Sequence, residues 1–173
     1  MLFNEKFKFC PSCGSQHFEY NNIKSKCCAH CNFVFYHNPS SAVAAFIFNA
    51  NGDLLVCRRA KDPAKGTYDL PGGFVDYNET AEQAMVREIH EELGVEVKEL
   101  QYLFSLPNDY LYSDLNIPTL DFFYRVQLPQ NAEISAYDDV AESIFVPIAK
   151  LNANDFGLNS IRKAIIQLIN KEL

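Results

Sequence analysis

The segment from residue 80 to residue 94 constrains the fold most, because it carries a helix start, a helix stop and a single apolar stripe. Thr80 and Gln83 have the spacing of a capping box, which predicts that a helix begins at Thr80. Gly94 directly follows the last apolar residue and is a typical C-terminal stop. At about 100° per residue, four apolar side chains fall on one side of this helix. The predicted core stripe consists of Met85, Val86, Ile89 and Leu93.

Two glutamates flank this stripe instead of facing water. Glu88 and Glu92 lie one helical turn apart, so their Cβ atoms are roughly 5–6 Å from each other. On the helical wheel both lie within about 20° of Ala81. Like charges repel at this spacing, and partial burial costs several kcal/mol per ion unless a partner is present. Arg87 can pair with Glu91 at i+4, but two carboxylates remain. A divalent cation would compensate them, since carboxylate oxygens are hard ligands for Mg²⁺ or Mn²⁺.

The alternative interpretation is a solvated acidic face on an ordinary amphipathic helix. The helical wheel argues against it, and so does the sequence LPGGF over residues 70–74, directly before the helix. Gly72 and Gly73 allow the backbone to approach a ligand closely and to expose a carbonyl oxygen. The sequence therefore favours a cation site formed by the glutamates and this glycine pair.

Residues 73–95 resemble the signature of the Nudix hydrolases. Gly73, Glu79 and the run from Arg87 to Val95 match every fixed position of G-x5-E-x7-R-E-U-x-E-E-x-G-U, in which U is an aliphatic residue. The resemblance extends more loosely over residues 40–170. It implies the α/β class, as a Nudix α/β/α sandwich with a mixed sheet. It also implies hydrolysis of a nucleoside diphosphate linked to another group, with Mg²⁺ or Mn²⁺ as the cofactor.

The resemblance implies roles for individual residues as well. Glu88, Glu91 and Glu92 match the catalytic, metal-binding carboxylates, and the carbonyl of Gly72 matches a backbone ligand. Arg87 would orient a glutamate by ion pairing. The supporting residues are Gly73, Glu79 and Arg87.

The general base is not fixed by the motif, because family members use either a glutamate of the motif or a carboxylate from a later loop. The sequence DDVAES offers Asp138, Asp139 and Glu142. Glu142 is the favoured candidate, because it stands just ahead of the strand-like IFVP. The alternative is that Glu142 is a solvated loop acid. Cys57 lies within a predicted strand and is interpreted as a core residue, so no covalent nucleophile is expected.

Apolar runs and alternation predict a mixed α/β fold around this helix. Residues 105–119 are predicted to form a long loop, and loops of that length in compact domains are often functional. The predicted strands cover 41–48, 54–59, 95–104, 120–128 and 141–147. Residues 157–173 are predicted to form an amphipathic helix, with Ile161, Ile165, Leu168 and Ile169 on one face.

Five of the six cysteines lie in the first 31 residues, and four of them form two C-x2-C pairs. With no secretion signal at the N-terminus, a reducing, cytoplasmic location is expected, where paired cysteines bind metal more often than they form disulfides. Four thiolates give the tetrahedral set that structural zinc prefers. We predict a zinc ribbon over 1–38, followed by a Nudix domain over 39–173. The predicted ligands of one structural Zn²⁺ are Cys10, Cys13, Cys28 and Cys31.

Cys27 and His30 form a competing C-x2-H pair. Cys28 and Cys31 are preferred, because they complete a set of four cysteines. Cys27 then has no assigned role.

A zinc ribbon directly before a Nudix domain resembles NADH pyrophosphatases and the related FAD or ADP-ribose pyrophosphatases. NADH pyrophosphatases carry SQPWPFPxS after the signature, and SLPNDYLYS over 105–113 keeps both serines and one proline but lacks the tryptophan. The resemblance implies an ADP-containing dinucleotide or ADP-ribose as substrate, cleaved to a nucleoside monophosphate and a phosphorylated partner. Two tyrosines of this segment could stack on a flat ring, or could be ordinary packing residues. The candidate substrate-binding residues are Ser105, Tyr110 and Tyr112.

A formal net charge of −7 argues against a protein that coats DNA or an anionic membrane. Two alternatives to an enzyme remain: a non-catalytic, nucleotide-sensing Nudix module, and a zinc-ribbon nucleic-acid adaptor. The intact glutamate set disfavours the first. The second is disfavoured because residues 14–27 hold only Lys24 and Lys26 as strong cations. The expected partner is a small nucleotide, and the oligomeric state stays open, with a homodimer as one alternative.

Overall fold

The computed structural model describes residues 6–137 and 140–172, and it divides the chain into two compact units. One unit comprises Met1–Pro39 and Asp109–Pro118, and the other comprises Ser40–Asn108 and Thr119–Leu173. Residues 109–118 thus group with the N-terminal part of the chain, and the predicted domain bounds of 1–38 and 39–173 stay a prediction. In the described part of the chain, no helix is long and apolar enough to cross a membrane.

The first unit is built on a small antiparallel sheet. Its strands, in the order β1-β2-β3, are β1 (Phe18–Asn22), β2 (Ser25–Cys28) and β3 (Val34–Tyr36). Among the described residues, its buried hydrophobic core consists of Cys10, Phe18 and Cys28, with Phe7 and Phe35 packed around it. A core of this size needs a further cross-link to be stable, which is the usual role of a disulfide or a metal in small modules.

The second unit contains two three-stranded sheets and two α-helices. Strands β4 and β8 pair in parallel in the sheet of order β4-β8-β7, and the sheet of order β6-β5-β9 is antiparallel. The strands are β4 (Ser40–Ile47), β5 (Leu54–Arg59), β6 (Tyr68–Asp69), β7 (Glu99–Tyr112), β8 (Leu115–Gln127) and β9 (Val140–Val146). The helices are α1 (Ala81–Leu93) and α2 (Asn159–Ile169), and short 3₁₀ turns lie at Ile148–Lys150 and Ala153–Asp155.

Successive residues of the central strands point to opposite helices, as the two-residue period of a strand requires. Val43 and Ala45 of β4 and Leu55 of β5 belong to the core cluster of α1, which also contains Met85, Ile89 and Leu93. Ala44 and Phe46 of β4 and Leu54 and Val56 of β5 belong to the core cluster of α2, which contains Ile161, Ala164, Ile165 and Leu168. The sheets therefore have an α1 face and an α2 face. The predicted α/β/α arrangement with mixed strand directions is confirmed.

Helix α1 begins and ends as its sequence predicts. The Thr80 hydroxyl accepts a hydrogen bond from the backbone N–H of Gln83 at 3.2 Å, and the Gln83 side chain accepts one from the N–H of Thr80 at 2.8 Å. Gly94 adopts a left-handed conformation, with φ of 69°. One residue of the predicted stripe is wrong, because Val86 is 38% exposed whereas Ala84 is fully buried. The buried arc is thus shifted towards the side of the helix that carries Glu88 and Glu92.

The predicted loop over 105–119 is also wrong, because β7 and β8 continue through it as a hairpin. The turn residues Ser113 and Asp114 have φ of 50° and 57°, as in a type I′ turn. Two prolines conceal this hairpin in the sequence. Pro107 lies in β7, an end strand of its sheet, and Pro118 lies just before Thr119, where the pairing of β8 with β4 starts. Pro118 therefore precedes the paired part of β8 with β4, and Pro107 lies on an end strand, where proline is tolerated.

The C-terminal helix is confirmed with one change on its buried face. Ile161, Ile165 and Leu168 are buried as predicted. Ile169, the last residue of α2, is 38% exposed, and Ala164 takes its place in the core.

Candidate active site and cysteine cluster

The Gly72–Gly73 turn brings the backbone of the chain against the carboxylates of α1. The N–H of Ala45 donates to the carbonyl of Pro71, and the N–H of Val43 donates to the carbonyl of Gly73, both at 2.8 Å. Gly72 has φ of 148°, and a Cβ at this position would overlap the carbonyl oxygen of Val43. A Cβ on Gly73 would overlap the carboxylate of Glu88. Gly72 therefore requires glycine, because a Cβ there would meet the backbone of β4, whereas a Cβ on Gly73 would meet the end of the Glu88 side chain, which can move.

Glu92 is held from the same turn. It is only 7% exposed, and its Oε2 accepts a hydrogen bond from the N–H of Gly72 at 2.9 Å. Burial, and then the charges of Glu92 and Asp69, raise the pKa of the Cys57 thiol on β5. A thiol with a raised pKa stays protonated and is a poor nucleophile. This agrees with the prediction that Cys57 is a core residue.

Arg87 connects the remaining glutamates of the motif. Its Nε and Nη2 each donate to an oxygen of Glu79 at 3.0 Å, and its Nη1 donates to Glu88 at 2.8 Å and to Glu91 at 2.9 Å. Nη2 also donates to the carbonyl of Phe74 at 2.9 Å. The predicted i+4 pair with Glu91 is present, and Arg87 additionally joins the preceding loop to the helix.

The electrostatics of this cluster follow from burial and from the single guanidinium. Burial raises the pKa of Glu88, and Arg87 opposes that rise. Hydrogen bonds from Arg87 lower the pKa of Glu79. Three carboxylates share one guanidinium and Glu92 lies one turn from Glu88, so the cluster is short of positive charge. An oxygen-rich, negatively charged set of donors fits Mg²⁺ or Mn²⁺.

The structure does not gather these carboxylates on a single point. Among residues 6–137 and 140–172, the one group of Cys, His, Asp or Glu side chains placed to hold a metal ion is the cysteine quartet. Arg87 lies between Glu79, Glu88 and Glu91, whereas Glu92 contacts Gly72. The assignment of Glu88, Glu91, Glu92 and the Gly72 carbonyl as metal ligands therefore stays a prediction.

Glu142, the favoured candidate for the general base, is not brought together with the glutamates of α1. It pairs in register with Arg58 of β5, and its Oε2 lies 3.3 Å from the Arg58 Nε. Ile144 and Val146, on the same side of β9, pack in the core cluster of α2. Glu142 therefore points to the α2 face, and this placement does not support the base role. The two other candidates, Asp138 and Asp139, lie outside the described residues.

The candidate substrate-binding residues are divided between the two units. Ser105 is half-buried on β7 in the second unit. Tyr110 is half-buried and Tyr112 is 58% exposed, and both lie in the part of the hairpin that belongs to the first unit. Their common role in substrate recognition stays a prediction.

The four predicted zinc ligands do converge. The Sγ atoms of Cys10 and Cys31 are 3.7 Å apart and those of Cys13 and Cys28 are 3.6 Å apart, and all four lie within 4.8 Å of one another. Four sulfurs at about 2.3 Å from a tetrahedral zinc would be separated by about 3.8 Å. The cluster is therefore compatible with a zinc ribbon.

The two C-x2-C turns have the same backbone geometry. The N–H of Gly14 donates to the carbonyl of Cys10 and the N–H of Asn32 donates to that of Cys28, both at 2.8 Å. Gly14 and Asn32 have φ of 75° and 61°, so each turn closes on a residue in the left-handed region. The competing Cys27 is not part of the quartet, and its Sγ lies 3.9 Å from the carbonyl of Cys28.

A family model for the NUDIX domain matches residues 38–168. The chain belongs to the Nudix family. The match covers α1, the glycine turn and every strand from β4 to β9.

Two curated relatives of this Nudix protein have named activities. It is 45% identical over 133 residues to the ADP-ribose pyrophosphatase of Methanocaldococcus jannaschii, an alignment that covers 76% of the chain and 75% of that protein. It is 32% identical over 105 residues to the NAD-capped RNA hydrolase NudC of Vibrio parahaemolyticus. This alignment covers 60% of the chain and only 39% of that protein. The chain thus spans less than half the length of the NudC relative that it matches.

Solved structures support the fold. A Nudix hydrolase from Nitrosomonas europaea superposes with a TM-score of 0.72 at 23% identity, over 95% of this chain and 91% of the other. The Nudix domain of Shewanella oneidensis NrtR, solved with ADP ribose, superposes with a TM-score of 0.62 at 20% identity, over 80% of this chain and 91% of the other. At these identities the likeness shows the fold alone.

Sequence reasoning missed a buried ion pair beside the active-site turn of this Nudix hydrolase. The Nη1 of Arg59, at the end of β5, lies 2.5 Å from the Oδ2 of Asp69, at the end of β6. It also missed Asp121 of β8, which is buried and accepts hydrogen bonds from the hydroxyls of Thr119 and Ser160 at 2.5 Å. The available signal was a charged residue within each otherwise apolar strand, as in YDLP and LDFF.

Replacing Gly73 should separate activity from stability. In Gly73→Ala the added methyl group displaces the flexible Glu88 carboxylate. Hydrolysis of a diphosphate-linked nucleotide should therefore fall about 100-fold, because a misplacement of about 1 Å can cause a loss of that size. The urea midpoint should stay close to that of the wild type. The control is Gly52→Ala, at a turn with φ of 81° and open space around it, which should lose stability but keep activity. Full activity in Gly73→Ala would contradict the placement of Glu88 in the site.

Replacing Cys13 should remove a metal from the first unit. The wild-type chain should contain about one zinc per chain by elemental analysis, and Cys13→Ser should lose it, since a site with three thiolates binds zinc less tightly. Cys27→Ser is the matched control and should keep its zinc. A wild-type protein prepared without chelator that contains no zinc would contradict the cluster's assignment, and so would a Cys27→Ser variant that loses zinc.

Proposed function

We propose that this Nudix hydrolase cleaves the diphosphate of ADP-ribose or of an ADP-containing dinucleotide such as NADH or FAD. The products would be AMP and a phosphorylated partner, and the reaction would require Mg²⁺ or Mn²⁺. The observation that carries the proposal is the glycine turn, where Glu92 accepts from Gly72 and Glu88 lies against Gly73. The choice of substrate is supported by the Methanocaldococcus jannaschii relative, whose 45% identity extends over three quarters of its length.

The residues of the turn and of α1 would hold the cation. Glu88, Glu91 and Glu92 offer carboxylate oxygens, and Gly72 offers its carbonyl. Bound Mg²⁺ or Mn²⁺ would neutralise the diphosphate, activate water and stabilise the leaving phosphate. The N–H of Gly72 would fix the orientation of Glu92 by the hydrogen bond described above.

Arg87 would restrict the other carboxylates. Through its hydrogen bonds it orients Glu88 and Glu91, and it is itself held by Glu79 and by the Phe74 carbonyl. The position of Glu142 on the α2 face leaves a glutamate of α1 as the favoured general base among the described residues. A covalent step is not part of the proposal, since the Cys57 thiol is buried and protonated.

A second candidate substrate is the NAD cap of an RNA, as the name of the Vibrio parahaemolyticus relative suggests. Both candidates contain an ADP-linked diphosphate, so the same carboxylates would serve either one. ADP-ribose is favoured, because the chain covers only 39% of the NudC relative and because its net charge of −7 opposes a long polyanion. We further propose that Ser105, Tyr110 and Tyr112 contribute to recognition of the group beyond the diphosphate.

The N-terminal part is proposed to be a structural zinc ribbon over 1–38, preceding a Nudix domain over 39–173. Its three-residue buried core is too small for a stable module without a cross-link. The cysteine quartet would supply that cross-link through one Zn²⁺.

A substrate panel tests the proposal. ADP-ribose, NADH, NAD, FAD, a diadenosine polyphosphate, a nucleotide sugar, ATP and an NAD-capped RNA should be compared by kcat/KM with Mg²⁺ and with Mn²⁺. We expect ADP-ribose or an ADP-containing dinucleotide to be the preferred substrate and AMP to be a product. Glu92→Gln should abolish turnover, whereas the matched control Glu96→Gln, with an exposed side chain, should keep it.

Two results would contradict the proposal. A triphosphate preferred tenfold or more over every diphosphate-linked compound, about 1.4 kcal/mol in transition-state binding, would refute the substrate class. An NAD-capped RNA preferred by the same margin over ADP-ribose and NADH would favour the second candidate.

A further inference from the structure

The strand that leads into the active-site turn ends on a buried ion pair outside the Nudix signature. The side chains of Arg59 and Asp69 are 17% and 11% exposed, and the Nη1 and Oδ2 atoms lie 2.5 Å apart. Asp69 stands three residues before Gly72 and is the last residue of β6. The pair therefore lies where the chain passes from the sheet into the turn.

Both oxygens of Asp69 are used, and Arg59 makes further contacts with the same hairpin. The second oxygen of Asp69, Oδ1, accepts from the N–H of Leu70 at 2.8 Å. The Nε of Arg59 donates to the carbonyl of Pro63 at 2.7 Å, and its backbone N–H donates to the carbonyl of Thr67 at 3.0 Å. One guanidinium thus joins the end of β5, the connecting loop and the end of β6.

Strand β6 is short, and the bridge that Tyr68 forms with Phe156 lies one residue before its end. It contains two residues, and its described pairing with β5 consists of Cys57 with Asp69 and Arg58 with Tyr68. A strand of two residues has few ladder hydrogen bonds, so its last residue is positioned mainly by side-chain contacts. The Arg59–Asp69 pair supplies the strongest of these, because it is charged on both sides.

Asp69 connects to the proposed cation site by a short, buried path. Leu70 and Pro71 are buried, the Pro71 carbonyl is fixed by β4, and the N–H of Gly72 then donates to Glu92. Asp69 pairs in register with Cys57, which belongs to the core cluster of α1, so Asp69 lies on the α1 face.

Stability alone does not explain a buried ion pair at this position. Burial raises the pKa of Asp69, and Arg59 opposes that rise. Apolar pairs of similar volume are often as stable as buried ion pairs or more so. What an apolar pair cannot do is bind the N–H of Leu70 and the carbonyl of Pro63 in fixed directions.

We propose that the Arg59–Asp69 pair positions the Gly72 turn for divalent-cation binding. The pair fixes the end of β6 and thereby the position of Gly72. Gly72 donates its N–H to Glu92, and its carbonyl is a proposed ligand of the cation. Arg59 and Asp69 are positioning residues and do not touch the cation. This inference rests on the proposed function, because it assigns the pair a role at the cation site proposed there.

Binding of Mn²⁺ to the full-length, zinc-containing chain tests the inference without any substrate. The dissociation constant is measured by electron paramagnetic resonance of free Mn²⁺, and the free energy of unfolding is measured with urea. Asp69→Asn keeps the shape of the side chain and an acceptor for Leu70 but removes the charge. The double variant Arg59→Met/Asp69→Leu replaces the pair by apolar groups, which keeps the test valid if Asp69→Asn fails to fold.

Both variants should bind Mn²⁺ about tenfold or more weakly than the wild type, as loss of an outer partner of a metal ligand typically causes. The double variant should do so with an unfolding free energy close to that of the wild type. The matched control is Arg58→Met, which removes the neighbouring arginine and its pair with Glu142 on the α2 face. Arg58→Met should bind Mn²⁺ as the wild type does.

The outcomes separate this inference from the proposed function. If both Asp69→Asn and the double variant bind Mn²⁺ with wild-type affinity, the positioning role is overturned. If Glu92→Gln in the same assay binds Mn²⁺ more weakly than the wild type, the proposed function still stands. An equal loss in Arg58→Met overturns the positioning role as well, since the effect would then not be specific to the pair. A wild-type chain that binds no Mn²⁺, or binds it no better than Glu92→Gln, overturns both.

Discussion

Repulsion among the carboxylates of α1 is the constraint on which the rest of the site depends. Glu88 and Glu92 stand one turn apart on the half-buried side of the helix, and Glu79 and Glu91 add further charge. Arg87 is the one cation bonded to three of them, and burial still raises the pKa of Glu88. A helix with this composition is costly to bury unless its charge is compensated. Compensation by a divalent cation is also what cleavage of an anionic diphosphate requires.

The surrounding fold fixes the donors around this charge. The capping box sets where α1 begins, and the apolar residues Met85, Ile89 and Leu93 fix its rotation against β4 and β5. The glycine turn approaches the helix so closely that a methyl group on either glycine would collide with its neighbours. Backbone, helix rotation and ion pairs therefore act together to hold carboxylates that would otherwise move apart.

The sequence predicts those parts of the fold that depend on local pattern and fails where distant pairing decides. The ends of α1, strand β5 and the cysteine quartet follow from spacing alone. The hairpin of β7 and β8 was hidden by Pro107 and Pro118, which are tolerated because of their places in the sheet. The face of Glu142 depends on which helix covers Ile144 and Val146, the residues on the same side of β9, and local pattern does not show that packing. The Arg59–Asp69 pair was missed because its partners are ten residues apart and meet only across β5 and β6.

The central claim is that the carboxylates of α1 bind a divalent cation, and the effect of Mg²⁺ on thermal unfolding tests it most directly. A ligand at 100 times its dissociation constant stabilises a protein by about 2.7 kcal/mol, which raises the midpoint of a chain of this size by about 5–10 °C. We expect such a rise in the zinc-containing wild type. In the double variant Glu88→Gln/Glu92→Gln the cation would lose two ligands, so the midpoint should rise by less than about 2 °C. An equal rise in both proteins, or none in the wild type at saturating Mg²⁺, would contradict the account.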